Sequence, residues 1–359
     1  YWPDLLTSEH IAQEKQWIEK VSVTLYAQEV SRGVFSSITH DSATKIMLDY
    51  GVCIFPQIFP AHEVQVWGEA ARADMKEAIQ KLRARFNVDL LASAEDVSIE
   101  NVVKDNFHEL SMREAYRCDL RNSPCMQRLH AALPAHLPAN TSSIVQGNRS
   151  EGVHAKLRYH RGLLGVLTEI MNPIAQKGLN SDVEVDEEVN IEHGNWGKWN
   201  FNGPGPGTFN SPCIGKMGTV VSLPGCKDQT IHADTAHIFE HTHLPAHYLN
   251  FFIPCIFDNN RQTAFVIGSH QMKIAATTMT HPDYAQSYLE SRLIRPQLST
   301  GDALLFDCRI LHFGVSNWSI NTSTKETKEG EDWRLMMYIN YHQHWFQDPK
   351  NWNDAAKLF

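Results

Sequence analysis

Apolar and polar positions alternate with two different periods along this chain. Residues 9–31 set Ile11, Trp17, Ile18, Val21 and Leu25 at helical spacing among charged residues, which predicts an amphipathic helix packed by one face. The run YGVCIFPQIF (50–59) is apolar and interrupted by a proline, the pattern of a short buried strand. Residues 60–86 predict a long helix with Pro60 near its start. Residues 107–136 and 160–178 also read as helical, the second closed by Gly178.

The period changes near residue 180. Short β-rich runs then alternate with turn residues, at 183–192, 217–223, 229–234, 247–257, 263–267, 303–307, 311–315 and 333–341. Many short strands at fairly even spacing predict a sandwich or barrel. The expected fold is mainly β with a helical buttress. One domain covers 1–359, with 1–180 mostly helical and 181–345 forming the β core, since no linker or repeat divides them. The segment GNWGKWNFNGPGPGTFN (194–210) breaks both periods. Its glycines and prolines forbid regular structure while its aromatics resist exposure, which fits an aromatic-anchored surface loop or a lid over a pocket.

Charge and cysteine usage narrow the partners. With 41 acidic against 32 basic residues, the formal net charge is -9. A polyanion is repelled at long range, so nucleic acid is not the expected partner, while a local basic pocket for one anionic small molecule stays open. The seven cysteines are widely spaced with no CxxC pair, which argues against a disulfide scaffold or a cysteine zinc site and for a reducing intracellular compartment. The four Asn-X-Ser/Thr sequons, at Asn140, Asn148, Asn317 and Asn321, read as chance matches. The longest strongly apolar stretch, 248–257, contains Asn250 and Pro254 and is too short for a membrane span.

Candidate chemistry centres on QTIHADTAHIFEH. In a strand, residues i and i+2 share a face, so His232 and Asp234 can approach one metal from one side. LLFDCRILHFGVSN supplies His312 at the end of an apolar strand, 78 residues after Asp234. Two histidines and one carboxylate form a facial triad that suits non-haem Fe(II) and leaves three octahedral positions open. A His-X-Asp pair alone says little in a chain with 19 histidines. His237, His241, His243 and His247 are spaced to bind zinc if helical, but lie in a loop-like stretch without an HExxH order. His342 and His344 share a strand face and read as polar wall residues.

Several motifs in order sharpen this reading. SLPGCKDQTIHAD (222–234) resembles the Pro-Gly…Gln-x-x-His-x-Asp segment of the phytanoyl-CoA dioxygenase family. GDALLFDCRILHFGVSNWS (301–319) is similar to that family's Gly-Asp…Phe-Asp-x-Arg-x-x-His-x-Gly…Asn-x-Ser segment. VIGSH (266–270) resembles its Pro-Gly-Ser-His turn, with Ile267 in place of proline, and LDYGVCIFPQIFPAHEV resembles its N-terminal strand and helix. The resemblance covers roughly 42–345.

The resemblance implies a double-stranded β-helix of jelly-roll or cupin type, with Fe(II), 2-oxoglutarate as co-substrate, and O2. It implies hydroxylation or another C–H oxidation of a small molecule, releasing succinate and CO2. A carboxylate at position 234, where related halogenases carry a small residue, argues against halogenation. The distal carboxylate of 2-oxoglutarate needs a cation, and an arginine fork stays charged when desolvated. The family's arginine lies some ten residues after the last histidine, which here falls near Thr322. STKETKEGED (323–332) reads as an inserted polar loop that delays the final strand and moves this role to Arg334. Arg309, three residues before His312, is expected on the opposite face, in an ion pair with Asp307 or Asp302. Asn250 is a candidate hydrogen-bond donor to the co-substrate, or a buried asparagine satisfied by backbone. Gln229 is a candidate pocket wall residue near the iron. Two other readings stay open: a non-catalytic cupin-fold binding protein, and a zinc hydrolase using the same ligands.

Overall fold

In the computed structural model the described residues are 7–91, 107, 109–121, 160–171, 213–239, 242–255, 262–317, 330, 332–343, 346 and 348. They form two antiparallel sheets with helices packed around them. The larger sheet has seven strands in the order β1-β8-β5-β10-β4-β3-β2. Its members are β1 (Val52–Phe55), β2 (Leu110–Glu114), β3 (Arg117–Arg121), β4 (Cys213–Ser222), β5 (Tyr248–Pro254), β8 (Ala303–Asp307) and β10 (Arg334–His342). The smaller sheet is β7-β6-β9, from β7 (Leu293–Ile294), β6 (Thr263–Val266) and β9 (His312–Gly314). An isolated antiparallel bridge, His232↔His312, adds residue 232 to its edge. The sheets meet through aromatic rings: Phe306 of β8 lies 5.1 Å from Phe265 of β6 and 5.0 Å from His312 of β9.

Helices cover the outer face of the larger sheet. Four precede β2: α1 (Ser8–Lys20), α2 (Ala27–Arg32), α3 (Ser37–Tyr50) and α4 (Ala61–Phe86). Helix α4 buries Val64, Trp67, Ala71, Met75, Ala78, Ile79 and Leu82 at spacings of three and four. That stripe shares a core with Leu335, Met337, Ile339 and Tyr341 of β10, all 0% exposed. Gly68 permits the approach, since a Cβ there would lie 2.8 Å from Cys255. Helix α5 (Arg161–Met171) packs on α3, while α6 (Met272–Thr280) and α7 (Pro282–Arg292) connect β6 to β7.

The structure departs from the sequence expectations at several elements, the strand expected over 229–234 among them, which forms only the single bridge at His232. The helix expected over 9–31 is two helices, α1 and α2. Between them the β-branched residues Val21 and Val23 exchange backbone hydrogen bonds with Ile54 (2.8 and 3.0 Å), covering the free edge of β1. The helix expected over 107–136 is, in its described part, the β2–β3 hairpin, which turns through Tyr116 at φ 63. The pattern there has period two: Leu110, Met112, Cys118 and Leu120 point to the core, while Ser111, Arg113, Arg117 and Arg121 line a pocket. Helices α6 and α7 stand where the sequence pattern predicts no element. The halves therefore interleave: β1, β2 and β3, from the first 180 residues, sit in the same sheet as β4, β5, β8 and β10. Strand 183–192 and the aromatic segment 194–210 lie outside the described residues.

Candidate metal centre and pocket

The segment 229–235 meets β9 and the turn before it at three points, not along a regular ladder. Gln229 N–H donates to Gly314 O (2.9 Å) and Thr235 N–H to Cys308 O (3.0 Å). Between them His232 and His312 exchange both backbone hydrogen bonds, at 3.0 and 2.8 Å. Directly opposed residues of this kind project their side chains to one face. The two imidazole centroids lie 4.6 Å apart. Asp234 enters between them, with Oδ1 3.8 Å from His232 Nε2 and Oδ2 3.7 Å from His312 Nε2. The donor atoms of His232, Asp234 and His312 all lie within 4.8 Å of one another.

Backbone carbonyls fix how the histidines present themselves. His232 Nδ1 is 2.7 Å from Thr230 O, and His312 Nδ1 is 3.0 Å from Ile310 O. A carbonyl only accepts, so each neutral ring carries its proton on Nδ1 and turns the Nε2 lone pair toward Asp234. Burial, above all, lowers the pKa of His312 and keeps the ring neutral, although the Asp234 carboxylate pulls the other way. The carboxylate is held as well: Asn250 Nδ2 donates to Asp234 Oδ2 (2.8 Å), and Asn340 Nδ2 donates to Asn250 Oδ1. Asn250 thus serves the metal-ligand candidate, a role the sequence did not suggest. Asn340, its cross-strand partner on β10, was not singled out at all.

These groups open into a cavity of about 390 Å³ between the two sheets, within the usual size of a small-molecule site. Arg334, Met336, Tyr338 and Asn340, alternate residues of β10, form one wall. Arg334 is buried, and its guanidinium donates to Ser316 O (3.1 Å) and Val315 O. Gln229 also lines the cavity, and its Oε1 accepts from Gly314 N–H (2.8 Å), tying the 229–235 segment to β9. Arg309 does not reach the cavity. It makes the expected ion pair with Asp307 (2.6 Å) and caps Leu244 O (2.8 Å), which holds the Asp307 carboxyl well below its ordinary range despite burial.

The β2–β3 hairpin brings three more arginines to the cavity, Arg113, Arg117 and Arg121. In MREAYRCDLR they look like the solvated face of a helix. Only the apolar alternation of Leu110, Met112, Cys118 and Leu120 could have revealed a strand pair. His237 and His243, with centroids 5.8 Å apart, are not helical; His241 and His344 lie outside the described residues. His232, Asp234 and His312 form the one possible metal-binding cluster among the described residues. No helix among them is long and apolar enough to cross a membrane.

No family model matches this chain, and no curated protein matches it. Among solved structures it is similar to the non-heme alpha ketoglutarate dependent carbocyclase SnoK from nogalamycin biosynthesis, at 13% identity and a TM-score of 0.42, over 86% of this chain and 84% of that one. HygX from Streptomyces hygroscopicus, solved with nickel and 2-oxoglutarate bound, is similar at 12% identity and a TM-score of 0.40, over 88% and 90%. AviO1 from Streptomyces viridochromogenes is similar at 15% identity and a TM-score of 0.36, over 90% and 100%. Likenesses this loose assign neither family nor activity, and the side chains of the pocket carry the reading that follows.

Proposed function

We propose that this chain is a single-domain Fe(II)- and 2-oxoglutarate-dependent oxygenase that oxidises a C–H bond of a small molecule, of the phytanoyl-CoA dioxygenase kind. The observation that carries the proposal is the convergence of His232, Asp234 and His312, with both Nε2 lone pairs aimed at one point, beside a cavity that holds a buried arginine. The donor set fits iron(II): two imidazoles and one carboxylate on one side, with the cavity on the other. The strand order β4-β10-β5-β8, faced by residue 232, β9, β6 and β7, supports a double-stranded β-helix. With iron, 2-oxoglutarate and O2 bound, the group would supply oxidative decarboxylation to succinate and CO2 and transfer the second oxygen atom to the substrate carbon.

The protein's contribution is orientation. His232, Asp234 and His312 would hold the metal. Asn250, positioned by Asn340, fixes the carboxylate so that one oxygen faces the metal. Arg334 would pair with the distal carboxylate of the co-substrate, since an anion drawn into this buried cavity needs a fixed cation. Gln229 acts through Gly314 to hold the metal loop against β9. Aromatic packing of Phe265 and Phe306 around the His312 ring excludes water from its back. The test is a screen of acyl-CoAs, alkaloids, terpenoids and amino acids for succinate formation with Fe(II) and 2-oxoglutarate. Iron-dependent succinate release that Asp234→Ala abolishes is expected; zinc-dependent hydrolysis without 2-oxoglutarate binding would replace this reading.

A further inference from the structure

The cavity has two cationic ends. At one, Arg334, Ser222 and Arg117 form a cross-strand row over β10, β4 and β3. Four residues along β10, roughly 13 Å at the usual strand rise, a second row runs Tyr338, Gly218, Arg121 across the same strands. Arg113, at the bulge of β2 opposite Arg117 and Cys118, reaches toward this second row through Asp119. The buried carboxylate of Asp119 joins this second group. Its Oδ2 accepts from Arg113 Nη2 (2.7 Å) and Nε (3.2 Å) and from Arg121 Nη2 (2.8 Å), and its Oδ1 accepts from the Tyr338 hydroxyl (2.9 Å). Gly218 makes room for that hydroxyl, since a Cβ would lie 2.6 Å from it.

One carboxylate, Asp119, here serves the guanidinium groups of both Arg113 and Arg121. Against burial, Arg121 and Arg113 hold Asp119 below its ordinary pKa, so the carboxylate stays ionised at neutral pH. Other acidic groups nearby are engaged: Glu114 pairs with Arg117, and Asp348 sits by the Tyr248 hydroxyl at 3.5 Å. Asp119 occupies the Nε–Nη2 edge of Arg113. Its Nη1 has no partner among the described residues, and 36% of the side chain is exposed, at the cavity. Arg113 is near enough to Asp234 and His312 for its charge to act on both. The assignment of the metal triad and Arg334 makes no use of this group.

We propose that Arg113, aimed by Asp119 and backed by Arg121 and Tyr338, binds an anionic oxygen group of the molecule to be oxidised, a carboxylate or phosphate; this rests on the iron and 2-oxoglutarate reading of the same cavity. Arg334 then serves the co-substrate, and the three strand spacings from β10 to β2, roughly 14 Å, let two anions occupy the cavity together. A guanidinium with one edge fixed presents the other as a preset donor pair, which orients as well as attracts.

Mn(II) suits the same donors and stays divalent. Protein loaded with Mn(II) and saturating 2-oxoglutarate is titrated calorimetrically with matched pairs: hexanoate and hexanamide, phenylacetate and phenylacetamide, phenyl phosphate and phenol. At least one acid is expected to bind about tenfold more tightly than its neutral partner. Arg113→Gln removes that preference, Arg113→Lys restores part of it, and 2-oxoglutarate affinity stays within about twofold in both. Asp119 keeps Arg121 and Tyr338 in these variants, so both are expected to fold. The proposal is overturned if no acid outbinds its neutral partner, or if the preference survives Arg113→Gln. It is equally overturned if Arg113→Gln weakens 2-oxoglutarate about tenfold, which would make Arg113 the co-substrate's ligand. Wild-type protein that fails to bind 2-oxoglutarate defeats the underlying reading separately, and the acid preference at Arg113 is then scored on protein without it.

Discussion

The two faces of β10 have opposite chemistry. Leu335, Met337, Ile339 and Tyr341 are sealed against α4, while Arg334, Met336, Tyr338 and Asn340 line the cavity. One face is apolar and dry, held by packing. The other carries an arginine, a phenol and an amide, each with hydrogen-bond partners, beside the apolar Met336. The lesson is that this strand's stability and its chemistry are separable by parity, because side chains alternate with period two. Substitutions should sort the same way.

The largest expected effect is at the metal triad. His232→Ala, Asp234→Ala and His312→Ala each abolish turnover and stoichiometric iron binding, because a three-ligand site has no spare donor; metal analysis and succinate assay check this. Thermal stability should change far less. Two changes away from the cavity should do the reverse. Arg309→Ala leaves Asp307 as a buried unpaired carboxylate and should cost about 3–5 kcal/mol of unfolding free energy. Met337→Ala should cost about 2–5 kcal/mol by opening a cavity in the core. Chemical denaturation reads both, and 2-oxoglutarate affinity should stay close to wild type in each.

Arg334→Ala should weaken 2-oxoglutarate by about 2–5 kcal/mol with iron binding retained, as when one partner of a buried charge pair is lost. If Arg309→Ala loses co-substrate affinity and Arg334→Ala does not, the assignment along β10 is wrong. Asn250→Ala should lower metal affinity by roughly 10–100-fold, the usual cost of removing a group that orients a ligand.

The most gradual effect is a pH dependence. His270 is 3% exposed, and burial depresses its pKa to about 4. The unfolded chain therefore binds this proton first as pH falls below about 6.5. Stability should drop by up to about 1.4 kcal/mol per pH unit between 6.5 and 4 on account of this group, and level off below. His270→Gln should flatten that slope in melts across this range.

Much of the triad was legible because its chemistry is dense in sequence: His232 and Asp234 are neighbours, and His312 ends an apolar run. Arg334 was legible through alternation on a strand whose register the apolar residues declare. The β2–β3 wall was not. Arg113, Arg117, Asp119 and Arg121 look like a solvated surface until pairing places them over a cavity, and pairing with β4 is a contact some 100 residues away. Asn340 was hidden for the same reason: its meaning comes from Asn250, across the strand. The irregular pairing of 229–235 was equally unreadable, since four backbone bonds to β9 and the preceding turn, rather than a strand pattern, hold it.

The most direct test of the metal and co-substrate assignment is an anaerobic titration of 2-oxoglutarate into Fe(II)-loaded protein, followed by admission of air. One equivalent of 2-oxoglutarate should bind only when metal is present, and air should convert it to succinate and CO2 with matching O2 uptake. Asp234→Ala should show neither step. Binding of 2-oxoglutarate that is indifferent to metal, or a metal-loaded protein that does not bind it at all, would contradict the assignment.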